Sequence, residues 1–178
     1  MAALRVCLIL LALFGLSICV SFGQMSGGCG DYGADLRSEL RLMGGALAKI
    51  SAAGDVAAAP QIEPGKAYAV DLLPQAQVHF PVPPKQDRGG EGRSAGMLSL
   101  GNLAAGSWRV STDSPVWIDL LAGGKAVTSS SFEMKTECPA ILKTVVFAVP
   151  GGVPVLLQIN GAPQHSVRLL VTAVSAAR

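Results

Sequence analysis

The chain has 178 residues, half of them hydrophobic, with 14 basic and 12 acidic side chains and a formal net charge of +2. The charges are scattered rather than clustered on a basic face, which argues against nucleic-acid binding. Its length is that of one domain, which can bury roughly 70% of its unfolded surface and fold without a structural metal or a dense disulfide framework.

Residues 1–23 have the pattern of a secretory signal peptide. One cation, Arg5, precedes an apolar run over 6–16, and the small residues Ser21 and Gly23 stand three and one positions before a cleavage point. The run is shorter than the about 20 residues that a membrane-spanning helix needs. We therefore expect the signal to be removed on export and the remaining chain to be periplasmic or secreted, with no membrane span.

Cys19 offers a second interpretation of the same segment. Residues 16–19 resemble a lipoprotein signal, in which a small residue precedes the cysteine that is acylated. Ile18 is too large for that position, and the cleavage point after Gly23 is better formed. The sequence thus favours a soluble exported protein over a lipid-anchored one.

Two cysteines remain after cleavage. Cys7 and Cys19 leave with the signal, and Cys29 and Cys138 stay. In an oxidising compartment an isolated pair is best explained as one disulfide, with two free buried thiols as the alternative. The disulfide would close a loop of about 110 residues, for which chain entropy predicts roughly 4 to 5 kcal/mol of stabilisation as an upper figure.

The first predicted element is a helix over residues 31–43. Its apolar side chains recur every three or four positions and so share one face. The residues of that face are Tyr32, Leu36, Leu40, Met43 and Leu47. Asp31 and Asp35 near the start favour the helix dipole, and Gly44–Gly45 weakens the other end. Together with an Ala-rich connector, this helix is expected to make up residues 24–65.

From residue 66 onward, short apolar runs alternate with turns. Strands are predicted over 67–72, 76–80, 96–100, 107–111, 116–121, 126–132, 143–149, 153–159 and 167–174. No helical pattern separates them, which disfavours a doubly wound α/β domain. We predict a mainly β protein, an antiparallel β-sandwich or jelly roll of about eight or nine strands over 66–178. It would form one globular domain with the N-terminal helix.

Residues that could carry chemistry are few and dispersed. His79 and His165 are the only histidines, and neither has a second ligand two or four positions away, as a metal site would. Residues 92–96 match the G-x-S-x-G string, but they precede a predicted strand and no helix, so the sequence predicts no nucleophile elbow. There is no C-x-x-C pair, and the glycine pairs open no helix. We predict no catalytic, cofactor or metal site. The alternative is an enzyme with a dispersed metal or hydrolytic site built from His79, His165, Asp119 and Glu133.

Two polar segments are the candidate contact elements of a binding protein. The first is a charged loop, Pro81–Arg93, called here the Pro/Gly loop. The second is Thr128–Pro139, the Ser-rich segment, which contains Cys138 near its end. We expect them to face an envelope protein, a glycan or the envelope surface. The oligomeric state is left open.

Several stretches resemble a group of small exported β-sandwich proteins of Proteobacteria whose activity is unassigned. The matching stretches are 29–40, 105–111 and 116–119, continued through Phe132, Cys138 and Lys143 to the last strands. Some members carry the name homogentisate 1,2-dioxygenase, an enzyme that is far longer and binds iron through histidines and a carboxylate. No residue here matches such a motif. The strands are also similar in architecture to β-sandwich domains appended to secreted peptidases. The resemblance implies no particular activity. Because the sequence shows no catalytic motif, we predict a non-catalytic exported binding or accessory module.

Overall fold

The computed structural model describes residues 28–175, so the predicted signal peptide lies outside the described part. Within these residues there is one α-helix, α1 (Arg37–Met43), and there are two short 3₁₀ turns, Val56–Ala58 and Gln75–Gln77. The remaining regular structure is β, arranged as sheets of six and five strands that pack as a sandwich. The predicted fold class, a β-sandwich with an N-terminal helix, is confirmed.

Eleven strands follow one another in the described residues. They are β1 (Ala48–Ser51), β2 (Ala67–Asp71), β3 (Leu73–Pro74), β4 (Ser94–Asn102), β5 (Gly106–Thr112), β6 (Trp117–Ala122), β7 (Lys125–Val127), β8 (Ser129–Met134), β9 (Lys143–Val149), β10 (Pro154–Ala162) and β11 (Ser166–Ala173). Sheet A has the order β1-β2-β11-β5-β9-β8, and sheet B has the order β3-β4-β10-β6-β7. All neighbours are antiparallel except β1 and β2, which are parallel.

The core lies between the two sheets because their strands alternate apolar and polar faces. In β6, for example, Ile118 and Leu120 belong to the central cluster, while Asp119 points to the other face of sheet B. In β9 the members of the cluster are Val145, Phe147 and Val149, again at every second position. Full burial of such a side chain stabilises the fold by about 1.5 to 3 kcal/mol.

Two predicted strands differ from the structure, and two short strands, β1 and β3, lie where no strand was predicted. Residues 76–80 form no strand, since the 3₁₀ turn ends there and Val78 packs on the outer face of sheet B with Ala95 and Met97. The predicted strand 126–132 is two strands, because the chain passes from sheet B to sheet A at Thr128. Finally, β1 lies in the predicted connector, where its four residues pair with β2. A four-residue edge strand is too short for a periodic signal.

Helix α1 begins at Arg37 rather than at residue 31, because the preceding segment is bound to the end of sheet A. The predicted disulfide between Cys29 and Cys138 is present, with Cα atoms 4.7 Å apart. Close by, the Tyr32 hydroxyl donates a hydrogen bond to the Ile141 carbonyl oxygen at 2.6 Å. These tertiary contacts replace the first turns of the predicted helix. Even so, the predicted apolar face packs into a second cluster with Leu170, although Leu40 and Leu47 are only half-buried there.

Candidate functional site

One edge of sheet A leaves part of its inner face uncovered. Edge strand β8 pairs with β9 so that Phe132 lies opposite Val145 and Met134 opposite Lys143. Directly opposed residues point to the same face, which here is the face that carries the core residue Val145. Nevertheless Phe132 is 66% exposed and Met134 is 40% exposed. The shorter sheet B, which ends in the three-residue strand β7, therefore does not cover this end of the inner face.

A cavity of about 240 Å³ opens at this edge, and we call it the edge cleft. Its lining comes from four parts of the chain that are distant in sequence. The lining includes Arg88 from the Pro/Gly loop, Trp117 and Ile118 from β6, Phe132 and Met134 from β8, and Lys143 and Val145 from β9. Apolar walls with a few converging polar groups are typical of ligand-binding cavities.

The Pro/Gly loop reaches the cleft because polar side chains on the outer face of sheet B hold its backbone. Buried Gln158 donates from Nε2 to the Val82 carbonyl oxygen at 3.1 Å. Buried Asn160 donates from Nδ2 to the Gln86 carbonyl oxygen at 2.7 Å and accepts the Arg88 amide at Oδ1, 3.3 Å away. Backbone groups that would otherwise need water are thus satisfied by the sheet. The loop, held on sheet B by these hydrogen bonds, forms one wall of the cleft.

Two cations converge on the indole ring of Trp117. The Nζ atom of Lys143 lies 5.2 Å from the ring centroid, and Cζ of Arg88 lies 5.7 Å from it. Both distances are within the range of cation–π attraction. The ring is fixed from its edge, since Nε1 donates to Oδ2 of Asp119 at 2.9 Å. That carboxylate also accepts the Lys85 amide at 3.3 Å, so it is already engaged.

Lys143 is a buried ammonium group whose positive charge is only partly balanced by its surroundings. Burial, and then the charge of Arg88, lower its pKa to about 8 against the opposing charge of Asp119. Its Nζ donates to the Val116 carbonyl oxygen at 2.8 Å, which uses one of three N–H donors. Within residues 28–175 no carboxylate oxygen lies within 4.0 Å of a side-chain nitrogen of Lys143 or Arg88. The cleft is therefore electropositive.

The lowered pKa of Lys143 predicts a rise of stability with pH. From about 8 to 10.5 the unfolded chain binds more protons at this lysine than the folded chain, so the free energy of unfolding increases across that window. Lys143→Met should remove this rise, whereas Lys125→Met, at an exposed site, should keep it. Urea unfolding at several pH values measures the effect.

In the unfolded chain, Tyr32 titrates near the upper end of this pH range and has the opposite effect on stability. Burial, with the charge of Glu133, raises the pKa of Tyr32 to about 12. The unfolded phenol therefore ionises first, and Tyr32 lowers stability only above pH of about 10. Measurements up to pH of about 9.5 isolate Lys143. Identical pH profiles for the wild type and Lys143→Met would contradict the assignment.

The two predicted contact elements meet in the structure. The Pro/Gly loop contributes Arg88 to the edge cleft, and the Ser-rich segment contributes Phe132 and Met134. Neither Lys143 nor Trp117 was predicted from the sequence as a residue of the candidate site. The sequence did contain a signal for Lys143. In a strand, residues two, four and six positions apart point to the same face, so Lys143 at the start of β9 faces inward with the apolar residues that follow it.

The four residues of the alternative enzyme hypothesis make separate contacts. His79 is exposed, with Nδ1 3.1 Å from a carboxylate oxygen of Asp55. The Nδ1 atom of His165 lies 2.9 Å from the Ser94 hydroxyl. Of the two acids, Asp119 contacts the indole of Trp117, and Glu133 accepts the Gly33 amide at 3.0 Å. In the described part of the chain, no three His, Cys, Asp or Glu residues are grouped so that they could hold a metal ion.

No family model matches the chain, and no curated protein matches it. Among residues 28–175 there is also no helix of the length and apolarity needed to cross a membrane.

Proposed function

We propose that the chain is an exported, non-catalytic binding protein of the periplasm, and that its ligand enters the edge cleft. The observation that carries this proposal is the exposed aromatic side chain of Phe132 beside the two cations Lys143 and Arg88. Exposed apolar surface in a concave, partly charged setting is more typical of a binding site than of an inert surface.

Export is supported by two features that are independent of the cleft. The first is the signal pattern of residues 1–23. The second is the Cys29–Cys138 disulfide, a bond that forms and persists mainly in oxidising compartments such as the periplasm. Together these two features support a periplasmic or secreted location.

Binding is further supported by the contacts that hold the cleft walls in place. The Pro/Gly loop lies so close to β10 that a Cβ atom at Gly161 would collide with Arg88. Gly161 also has a φ of 72°, a conformation that glycine adopts without strain. The Ser-rich segment is fixed near its end by the disulfide at Cys138. Walls that are ordered before binding lower the entropic cost of association.

The test is retention of envelope components by the immobilised mature protein. We expect the wild type to retain a component that mass spectrometry identifies as a small molecule, glycan or protein. Phe132→Ser should reduce its retention by about ten-fold, because burying a phenylalanine side chain under a ligand is worth about 1.5 to 3 kcal/mol, and about 1.4 kcal/mol corresponds to a factor of ten. Val56→Ser is the matched control, because Val56 is an apolar side chain that is 47% exposed and lies outside the cleft.

Two results would contradict the proposal. One is that no component of the envelope extract is retained by the wild type. The other is that the wild type and Phe132→Ser retain the same components in equal amounts. Both variants should fold, because each change is at an exposed position. Circular dichroism checks this.

A further inference from the structure

We propose that the edge cleft binds a small apolar monocarboxylate, with the carboxylate between Lys143 and Arg88 and the apolar group on Phe132 and Met134. This inference rests on the proposed function and names the chemical class of the ligand. It combines three properties of the cleft, namely its charge, its apolar lining and its size.

The charge of the cleft calls for an anion. Lys143 and Arg88 approach the same indole ring and repel one another, and an anion between them would relieve this repulsion. Among residues 28–175, the hydrogen bonds of the Arg88 guanidinium go to a neutral acceptor in its own loop, the Gln86 Oε1 atom, 3.2 Å from Nη2 and 3.4 Å from Nε. The negative charge of Asp119 acts on Lys143 and raises its pKa, but the Oδ2 atom of Asp119 already accepts two hydrogen bonds. The guanidinium of an arginine matches a carboxylate in geometry.

The lining and size of the cleft favour an organic anion over phosphate or sulfate. Phe132 and Met134 of β8 offer exposed apolar surface directly opposite Val145 and Lys143 of β9. A carboxylate bound at Lys143 therefore leaves its carbon skeleton against these two side chains. The volume of about 240 Å³ is below the about 300–1,000 Å³ of cavities for drug-sized ligands. A single ring on a short chain matches this space.

The experiment compares an acid with the alcohol of the same skeleton on the wild-type mature protein. The probes are 3-cyclohexylpropionate and 3-cyclohexyl-1-propanol, whose saturated rings leave tryptophan fluorescence unobscured. Near pH 6.5, where Lys143 is charged, we expect the acid to bind about ten-fold more tightly than the alcohol. Lys143→Met and Arg88→Gln should each remove most of this preference, and Lys125→Met should leave it unchanged.

The other outcomes would overturn the carboxylate inference, and they differ in what they leave of the proposed function. Equal affinity for acid and alcohol would overturn the carboxylate inference, yet it would leave the cleft as a binding site. Equal competition by inorganic phosphate, or acid binding that persists in Lys143→Met and Arg88→Gln, would also overturn it. If neither probe binds, the inference fails, while the proposed function still depends on the Phe132 retention experiment. The two proposals therefore fail on different measurements.

Discussion

Replacing Cys29 and Cys138 together with alanine is expected to lower the free energy of unfolding by about 2 to 5 kcal/mol. The bond joins residues 109 positions apart, so it removes a large amount of conformational freedom from the unfolded chain. Alanine is preferable to serine because Cys138 is fully buried, where a hydroxyl would need a new partner. Urea unfolding of the double variant and of the wild type measures the difference.

The reduced wild type provides the control for this prediction. Its midpoint in urea should fall by about as much as that of the double variant, because both lose the same cross-link. We also expect the segment around Tyr32 to exchange its amide hydrogens faster, since the bond fixes that segment to the end of sheet A. Equal midpoints for oxidised and reduced protein would contradict the prediction.

Arg109→Met is expected to lower the free energy of unfolding by about 3 to 5 kcal/mol. Nη1 of Arg109 lies 2.7 Å from Oε1 of Glu39, and the two side chains are only 10% and 8% exposed. Thr172, paired with Arg109 across β5 and β11, donates to the same oxygen at 3.2 Å. Loss of the arginine leaves the Glu39 carboxylate buried without its cation, a costly state. The pair joins α1 to the outer face of sheet A.

A second variant separates the ion pair from general packing. Replacing both partners, as Glu39→Leu with Arg109→Met, should recover most of the lost stability, because no unpaired charge remains. The matched control is Arg37→Met, which breaks the solvent-exposed pair with Asp35 and should leave the urea midpoint unchanged. If Arg109→Met and Arg37→Met have the same midpoint, the buried pair does not stabilise the fold.

Much of the fold could be predicted from local patterns. Strand β9 has the bounds that were predicted, 143–149, because its alternating apolar residues are flanked by turns. The cysteine count indicated the disulfide, since cleavage of the signal would leave one pair. The buried face of the N-terminal segment was also readable, although its first residues, including Tyr32, are held by the sheet rather than by helical hydrogen bonds.

The candidate site was only half predictable. The Pro/Gly loop and the Ser-rich segment attracted notice through their composition, but nothing local shows that they meet. Their meeting depends on the passage of the chain between sheets at Thr128 and on the side chain of Asn160, which binds the loop from a strand 72 to 74 positions away. Contacts over such separations leave no periodic trace in the sequence.

The mainly β class, the Cys29–Cys138 disulfide and the two polar segments could be predicted from local patterns, because period-two alternation, cysteine number and turn composition are local properties. That one sheet extends beyond the other, and so leaves Phe132 exposed on an inner face, became visible only in the paired strands. The same is true of the convergence of Lys143 and Arg88 on Trp117. Sheet width and the approach of charges arise from strand pairing over long separations, which no local pattern records.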